Sequence, residues 1–262
     1  MELLEGKVII VSGVGPGVGR EIAVAAANDG ASVMLGARRR ENLEKAAAEC
    51  DPEGKTVAWK TTDICDDAQC RALVAETVAR FGRVDGLVNV AAYDSVMGGL
   101  DGNVEEWRQT LETNVVGTLQ MTRAAAAAMK ETGGGSVVMI GSQTTFWPAP
   151  LAPQLIYGAS KGALASAVWY LNRFELGPAK IRVNTVVPTW MWGPPVEMFV
   201  DWMVQSEGIT QEQAIARITG PMPLGEIPTD GDVANAVTFF LSDRARTISA
   251  QTLFVNSGEF PH

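Results

Sequence analysis

Residues 12–19 read SGVGPGVG, with glycine at every second position from Gly13 to Gly19. They follow KVIIVS (7–12), a short apolar run rich in β-branched residues, and they lead into a helical pattern over about 17–29. A glycine loop between a strand and a helix lets the backbone pass close to a pyrophosphate. The helix N-terminus then turns its free N–H groups toward that charge. The GxGxxG pattern is not met literally, because Val18 stands at its last position counted from Gly13; glycines at 13, 17 and 19 fit instead. A flexible Gly-rich turn is the plain alternative, and the position directly after the first strand favours the nucleotide reading.

The same alternation continues outward from the loop. Strands are expected at SVMLG (32–36), TVAWKT (56–61), DGLVNV (85–90), SVVMIGS (136–142), IRVNTVV (181–187) and QTLFVN (251–256). Helices are expected at 40–49, 70–81, about 103–130, about 154–176 and 232–242, with an irregular insert at about 189–228. Continuously apolar strands alternating with helices indicate an α/β fold whose parallel sheet is covered on both faces. The alternation runs nearly end to end, so one domain over 1–262 is expected.

Composition narrows the partners. The 262 residues carry a net charge of −9, which opposes binding to phosphate backbones and anionic lipid surfaces. A chain of this size buries about three quarters of its unfolded surface and needs no staples. Cys50, Cys65 and Cys70 are odd in number and form no CxxC pair, which suits a reduced cytoplasmic protein; a redox role for Cys65 and Cys70 is the alternative. MELLEGKVIIVSG lacks the pattern of a secretory leader, and no apolar run reaches the roughly 18 residues of a spanning helix. His262 is the chain's one histidine, so a metal site lacks ligands; a tail residue or a subunit contact accounts for it.

Two further stretches carry chemistry. About twenty residues past the loop, a dinucleotide site chooses its cofactor: a carboxylate accepts from the NAD ribose, and an Arg accommodates the NADP 2′-phosphate. Here the stretch is Gly36-Ala37-Arg38-Arg39-Arg40, with no acid between Ala31 and Arg40, so NADP is favoured over NAD with Arg38 and Arg39 on the phosphate. A solvated helix start is the alternative. In YGASK (157–161), Tyr157 and Lys161 lie four apart on one helix face. A nearby ammonium lowers a tyrosine pKa and makes the phenol a usable acid or base. Ser142, at the end of the fifth strand, is placed to donate to a carbonyl oxygen. An exposed helical pair is the alternative for Tyr157 and Lys161.

The order of glycine loop, NVAA (89–92), Asn114 in TNVVG, Ser142 and YGASK resembles the short-chain dehydrogenase/reductase family over residues 5–258. The resemblance implies a Rossmann-type, doubly wound, seven-stranded parallel sheet. It implies a nicotinamide-dependent enzyme, NADP(H)-dependent by the arginines above, that interconverts a ketone and a secondary alcohol, with Asn114, Ser142, Tyr157 and Lys161 as its catalytic set. It places Ser12, Gly13, Gly15, Gly17, Val18, Gly19, Asp63, Ile64, Asn89, Ala91, Pro188, Thr189 and Met191 around the cofactor, beside Tyr157, Lys161 and the two arginines. Lys161 would also bind the nicotinamide ribose, and Asn114 would support a proton relay through water. A homodimer or homotetramer paired through helices 103–130 and 154–176 is implied as well.

Several positions depart from the family pattern. Ser12 replaces Thr in the loop, and Ala92 replaces the Gly of the NNAG motif. Pro16 stands where NADP-using relatives often carry a basic residue, and Ser142 precedes Tyr157 by fifteen residues, lengthening the intervening loop. After the sixth strand the family has Pro-Gly and then a Thr near the nicotinamide carboxamide; PTWMWG (188–193) has no Thr at that later position.

The insert begins PTWMWGPPVEMFVDWM (188–203), and in this family that region covers the substrate. Phe199, Trp202 and Met203 share a helical face, and Pro194-Pro195 would stiffen its entry. Tyr93, Ser142, Phe146, Trp147, Leu151, Trp190, Trp192, Phe199 and Trp202 are candidate substrate contacts, with core packing as the alternative for each aromatic. Such walls suit a bulky, largely apolar alicyclic, aryl or steroid-like substrate. A β-ketoacyl thioester reductase and a non-catalytic NADP(H)-binding protein stay open; Arg217 is the one basic residue of the insert.

Overall fold

A computed structural model describes residues 2–94, 98–148 and 153–260, with Pro194 and Pro195 described by their backbone alone. Leu151 and His262 lie outside the described residues, as do the side chains of the two insert prolines.

Seven strands form one parallel sheet: Val8–Ser12 (β1), Ser32–Ala37 (β2), Val57–Thr61 (β3), Gly86–Asn89 (β4), Gly135–Ile140 (β5), Ile181–Pro188 (β6) and Thr252–Val255 (β7). Their order is β3-β2-β1-β4-β5-β6-β7, so the winding reverses between β1 and β4. Ligands of open α/β sheets bind beyond the carboxyl ends at such a reversal. Ser12 at the end of β1 sits level with Gly36 of β2 and Asn89 of β4, which brings the glycine loop to that edge.

Why the strands read as unbroken apolar runs is visible in the packing. Side chains alternate across a strand. Ile9, Val11, Val33, Leu35, Val138 and Ile140 enter one core, against helices Val18–Asn28 (α1), Arg40–Cys50 (α2) and Asp230–Leu241. Ile10, Met34, Val137 and Met139 enter the other, against Asp67–Phe81 (α3) and Thr118–Glu131. Both faces being dry, neither set of alternate positions is polar. No helix among the described residues is long and apolar enough to cross a membrane.

Three local differences from the sequence reading bear on the site. The helix expected over about 103–130 is two helices, Val104–Leu111 (α4) and Thr118–Glu131 (α5), joined by a π-helical turn at Glu112–Gly117. Gly117 lies against Ile64, where a Cβ would come within 2.8 Å of Ile64 Cγ1. Ser142 does not end β5, which stops at Ile140; it caps a short 3₁₀ turn, Gln143–Thr145, its oxygen accepting from the Thr144 amide. The helix of YGASK is Leu155–Tyr170 (α6).

The insert, read as irregular apart from the helical face of Phe199, Trp202 and Met203, holds two helices, Pro194–Glu207 (α7) and Gln211–Thr219 (α8), ahead of Asp230–Leu241 (α9). A capping box of Thr210 and Gln213 starts α8. Val196, Val200 and Met203 of α7 bury against Ala214, Ile218 and Met222, giving the insert its own small core. Apolar residues at i, i+4 and i+7 make the helix stripe that α7 buries there.

Candidate active site

A cleft of about 780 Å³ runs from the glycine loop past Ser142 and Tyr157 to α7. Gly13 donates its N–H to Gly36 O at 2.7 Å and holds φ at +108°, and a Cβ there would come within 2.1 Å of Ala91 N. Gly19 packs as closely, with Gly13 O 2.4 Å from a Cβ position. These two glycines allow the loop to fold. Gly15 and Gly17 differ, because their Cβ positions are open apart from Asp230 Oδ2 at 3.5 Å from Gly17, and both line the cleft. No side chain caps the N-terminus of α1. An open glycine cradle over an uncapped helix end fits a dinucleotide pyrophosphate.

Val18, Thr189 and Met191 also line the cleft. Ser12 is buried beneath the loop, its carbonyl accepting from the Ala91 amide at 2.9 Å. Asn89 is buried and donates to Thr122 Oγ1 at 3.0 Å, tying β4 to α5. Asp63 accepts from the Cys65 amide at 3.0 Å, Ile64 is buried, and Pro188 closes β6 against Val255. Arg38 and Arg39 are exposed past β2, and neither has an ion-pair partner among the described residues, whereas Arg40 is held by Glu44 at 2.8 Å.

Asp230 was not anticipated from the sequence. It is the first residue of α9, half-buried, and turns its carboxylate to Gly17 and Gly193. Burial raises its pKa, the charge of Glu21 adds to that, and Arg20 opposes it. Its charge counters the favourable field of the α1 N-terminus. Only the return of α9 beside α1 places it there, some two hundred residues along the chain.

Asn114 lies in the π-helical turn and is fully buried. Its amide donates to Tyr93 O at 3.1 Å and to Ser160 Oγ at 2.9 Å, and its oxygen accepts from the Tyr93 amide at 2.7 Å. Ser160 in turn donates to the Tyr157 carbonyl at 2.7 Å. The turn thus links the segment after β4 to the first turn of α6. A π-bulge re-aims a side chain that a regular helix would turn elsewhere.

Ser142 shares a 2.8 Å hydrogen bond with the Thr144 hydroxyl, accepts from the Thr144 amide at 3.3 Å, and lines the cleft beside Tyr157. Burial pushes the Tyr157 hydroxyl above its ordinary range, the charge of Asp94 adds to this, and the Ser142 hydroxyl works against it. Lys161 is buried and donates to Ile140 O at 2.8 Å, with Nζ 5.6 Å from the Tyr157 ring centre. Burial lowers its pKa from 10.5 to about 8, against the pull of Asp94. The lowered tyrosine pKa expected from spacing is therefore not what the protein alone presents. Desolvation disfavours the charged form of both groups and is the largest cause of both shifts.

The Lys161 value has a consequence for stability. In the unfolded chain the lysine stays protonated to about pH 10.4, whereas in the fold it loses its proton through about 8. The burial penalty is full below pH 8 and is relieved as pH rises toward 10. Relative to Lys161→Met, the wild type should gain about 2 kcal/mol between pH 7 and pH 10. Urea denaturation of both proteins at several pH values checks this, and a flat difference would refute it.

The aromatic candidates divide. Ser142, Trp147, Trp190 and Phe199 line the cleft. Trp190, Phe199 and Trp202 stack in a ladder, at 5.3 and 5.6 Å between ring centroids, whose outer member is exposed. Trp192 packs on the insert core, Phe146 packs edge-on to Phe254 at 5.3 Å, and Tyr93 is held through its backbone by Asn114. None of Tyr93, Phe146, Trp192 and Trp202 lines the cleft. Residues that do, and that the sequence did not single out, include Asp94, Thr144, Gln154, Met198 and Glu259. Asp94 and Gln154 come in on loops, Thr144 on the 3₁₀ turn after β5, Met198 on α7 and Glu259 on the segment after β7.

Likenesses to known proteins extend over nearly the whole chain. A family model described as enoyl-(acyl carrier protein) reductase matches residues 13–259. Dehydrogenase/reductase SDR family member 4 of Homo sapiens is 32% identical over 259 residues, 97% of this chain and 88% of that protein. Versicolorin reductase 1 of Aspergillus parasiticus is 30% identical over 262 residues, 98% of this chain and 97% of that protein. An actinorhodin polyketide ketoreductase variant solved with NADPH superposes with a TM-score of 0.88 at 29% identity, covering 98% of each chain. A doubly wound sheet with a glycine cradle at its reversal, matched end to end by these proteins, makes this chain an NAD(P)-dependent oxidoreductase that belongs to the short-chain dehydrogenase/reductase family.

Proposed function

We propose that the enzyme interconverts a bulky, largely apolar ketone and its secondary alcohol with NADP(H), and that Asn114, Ser142, Tyr157 and Lys161 carry the reaction. The observation behind this reading is the Ser142–Tyr157 hydroxyl pair on the wall of the cleft that begins at the glycine loop. When bound, the nicotinamide supplies or accepts the hydride. Ser142 donates a hydrogen bond to the substrate oxygen and, with Thr144, keeps that donor oriented. Tyr157 gives the oxygen a proton in reduction and takes it back in oxidation. Lys161, beneath the ring, favours the phenolate once protonated, and Asn114 fixes the backbone on which Tyr157 stands.

The exposed Arg38 and Arg39 suit a 2′-phosphate, and the solved ketoreductase relative carries NADPH. Charge-assisted bonds to a phosphate are worth enough that Arg38→Ala with Arg39→Ala should raise the KM for NADPH by about tenfold or more and leave NADH unchanged. The walls support the substrate class: Trp147, Trp190 and Phe199 are apolar, while the charged residues of the lining are Asp94, Asp230 and Glu259. Carboxylates there repel an anionic carrier-bound thioester. NADPH consumption across cyclic and aryl ketones and acetoacetyl thioesters tests the reading. Faster thioester turnover would overturn the substrate class, and no turnover of any ketone would overturn the reaction.

In this reading residues 189–228 act as a lid within one domain, and the chain works as a homodimer or homotetramer in the cytoplasm. Trp169, Tyr170 and Phe174 are each about two-thirds exposed on α6 and the turn after it, and Leu111 and Val116 are partly exposed near α4. Such apolar surface on neighbouring helices suits pairing with a second copy. Light scattering should give a multiple of the monomer mass; a monomer would remove the proposal. Three free thiols suit a reducing compartment.

A further inference from the structure

The segment after β7 returns to the cleft and brings a carboxylate with it. Val255 pairs with Pro188 at the end of β6, which sets Asn256–Phe260 beside Thr189. The Asn256 amide donates to Gln143 Oε1 at 2.9 Å and to Phe260 O at 3.0 Å, and the Phe260 ring stacks on Trp147 at 5.7 Å. Between these anchors Glu259 is half-buried and lines the same cleft as Ser142 and Tyr157. Its Oε2 accepts from the Thr189 hydroxyl, while Oε1 has no hydrogen-bond partner among the described residues.

An ionised carboxylate only accepts, so the group that meets Oε1 brings an N–H or O–H. Hydride transfer requires the nicotinamide ring to lie beside Ser142 and Tyr157, at this end of the cleft. The ring's carboxamide carries two N–H donors into it. We propose that Glu259, oriented by Thr189, accepts a hydrogen bond from the nicotinamide carboxamide and so sets the ring's rotation. Glu259 is a positioning residue in this account, which rests on the nicotinamide-dependent reading above.

The test uses NADP⁺ and its 3-acetylpyridine analogue, in which a methyl replaces the amide nitrogen, titrated calorimetrically into the protein without substrate. A hydrogen bond to a charged acceptor is worth about tenfold in affinity, so wild type should prefer NADP⁺ by about that factor. Glu259→Ala should bind both forms alike, Glu259→Gln, which keeps an acceptor, should restore most of the preference, and Thr189→Val should weaken it. A tenfold preference retained in Glu259→Ala would overturn the proposal. So would unchanged cofactor discrimination with a raised KM confined to ketones that carry an amine, which would assign Glu259 to the substrate. Wild type that binds neither form, nor NAD⁺ and its 3-acetylpyridine analogue titrated in the same way, would instead overturn the nicotinamide reading itself.

Discussion

Tyr157→Phe is expected to lower kcat on the order of a thousandfold while leaving NADP(H) affinity within about twofold of wild type. General acid–base transfer by a positioned side chain contributes about 10² to 10⁴ in rate. Phenylalanine keeps the ring and its packing over Lys161 and removes only the hydroxyl on the wall of the cleft. The buried amide network of Asn114, Ser160 and the Tyr157 carbonyl does not use that hydroxyl, so α6 should hold its place. Single-turnover kinetics with a ketone, paired with calorimetric titration of NADPH, separates the two effects. Full activity in the variant would sink the proton-transfer assignment, and lost cofactor binding would show that the change is structural.

Gly13→Ala should be the most damaging single methyl in the loop, and Gly15→Ala its control. At position 13 the new carbon would fall 2.1 Å from Ala91 N, 2.5 Å from Ala91 Cα and 2.8 Å from the Val90 carbonyl carbon. All three are backbone atoms at the end of β4, so no side-chain rotation relieves the clash. The φ of +108° adds strain that any residue with a Cβ must bear. The segments following β1 and β4 would have to part, at a cost of more than about 4 kcal/mol, the range reserved for severe core or backbone disruption. Gly15 has ordinary φ and nothing within 4 Å of its Cβ position. Gly15→Ala should therefore change stability by less than about 0.5 kcal/mol, as surface positions do, yet weaken dinucleotide binding by intruding on the cradle. Urea denaturation and cofactor titration of the two variants check the contrast; equal stability would refute the packing argument.

The fold was legible because its signals are local and repeated. Strand runs such as VIIV (8–11) and SVVMI (136–140) are almost continuously apolar, and a sheet buried on both faces gives that pattern a use. The glycine loop was legible for the same kind of reason, since Gly13 and Gly19 answer steric demands within a few residues or one strand away. That Tyr157 and Lys161 lie on one helix, four residues apart, was legible from their spacing. In the insert, the helical face of Phe199, Trp202 and Met203 was legible from its spacing, whereas α8 and the small core it shares with α7 were not, because their partners lie on separate helices.

What the sequence by itself determined is the order of elements, the side of the sheet that carries the loop, and the residue types offered there. Tertiary structure alone decided the site's electrostatics and its walls. Asp230 reaches Gly17 because α9 packs beside α1, and Glu259 reaches Thr189 because β7 pairs with β6. Spacing predicted an ammonium that lowers the Tyr157 pKa; burial instead raised the phenol and lowered the lysine to about 8. The physical reason is range. Periodicity and turn chemistry act over a few residues and are written in the chain, whereas desolvation and charge proximity depend on which distant segments close over a group, and no local pattern records that.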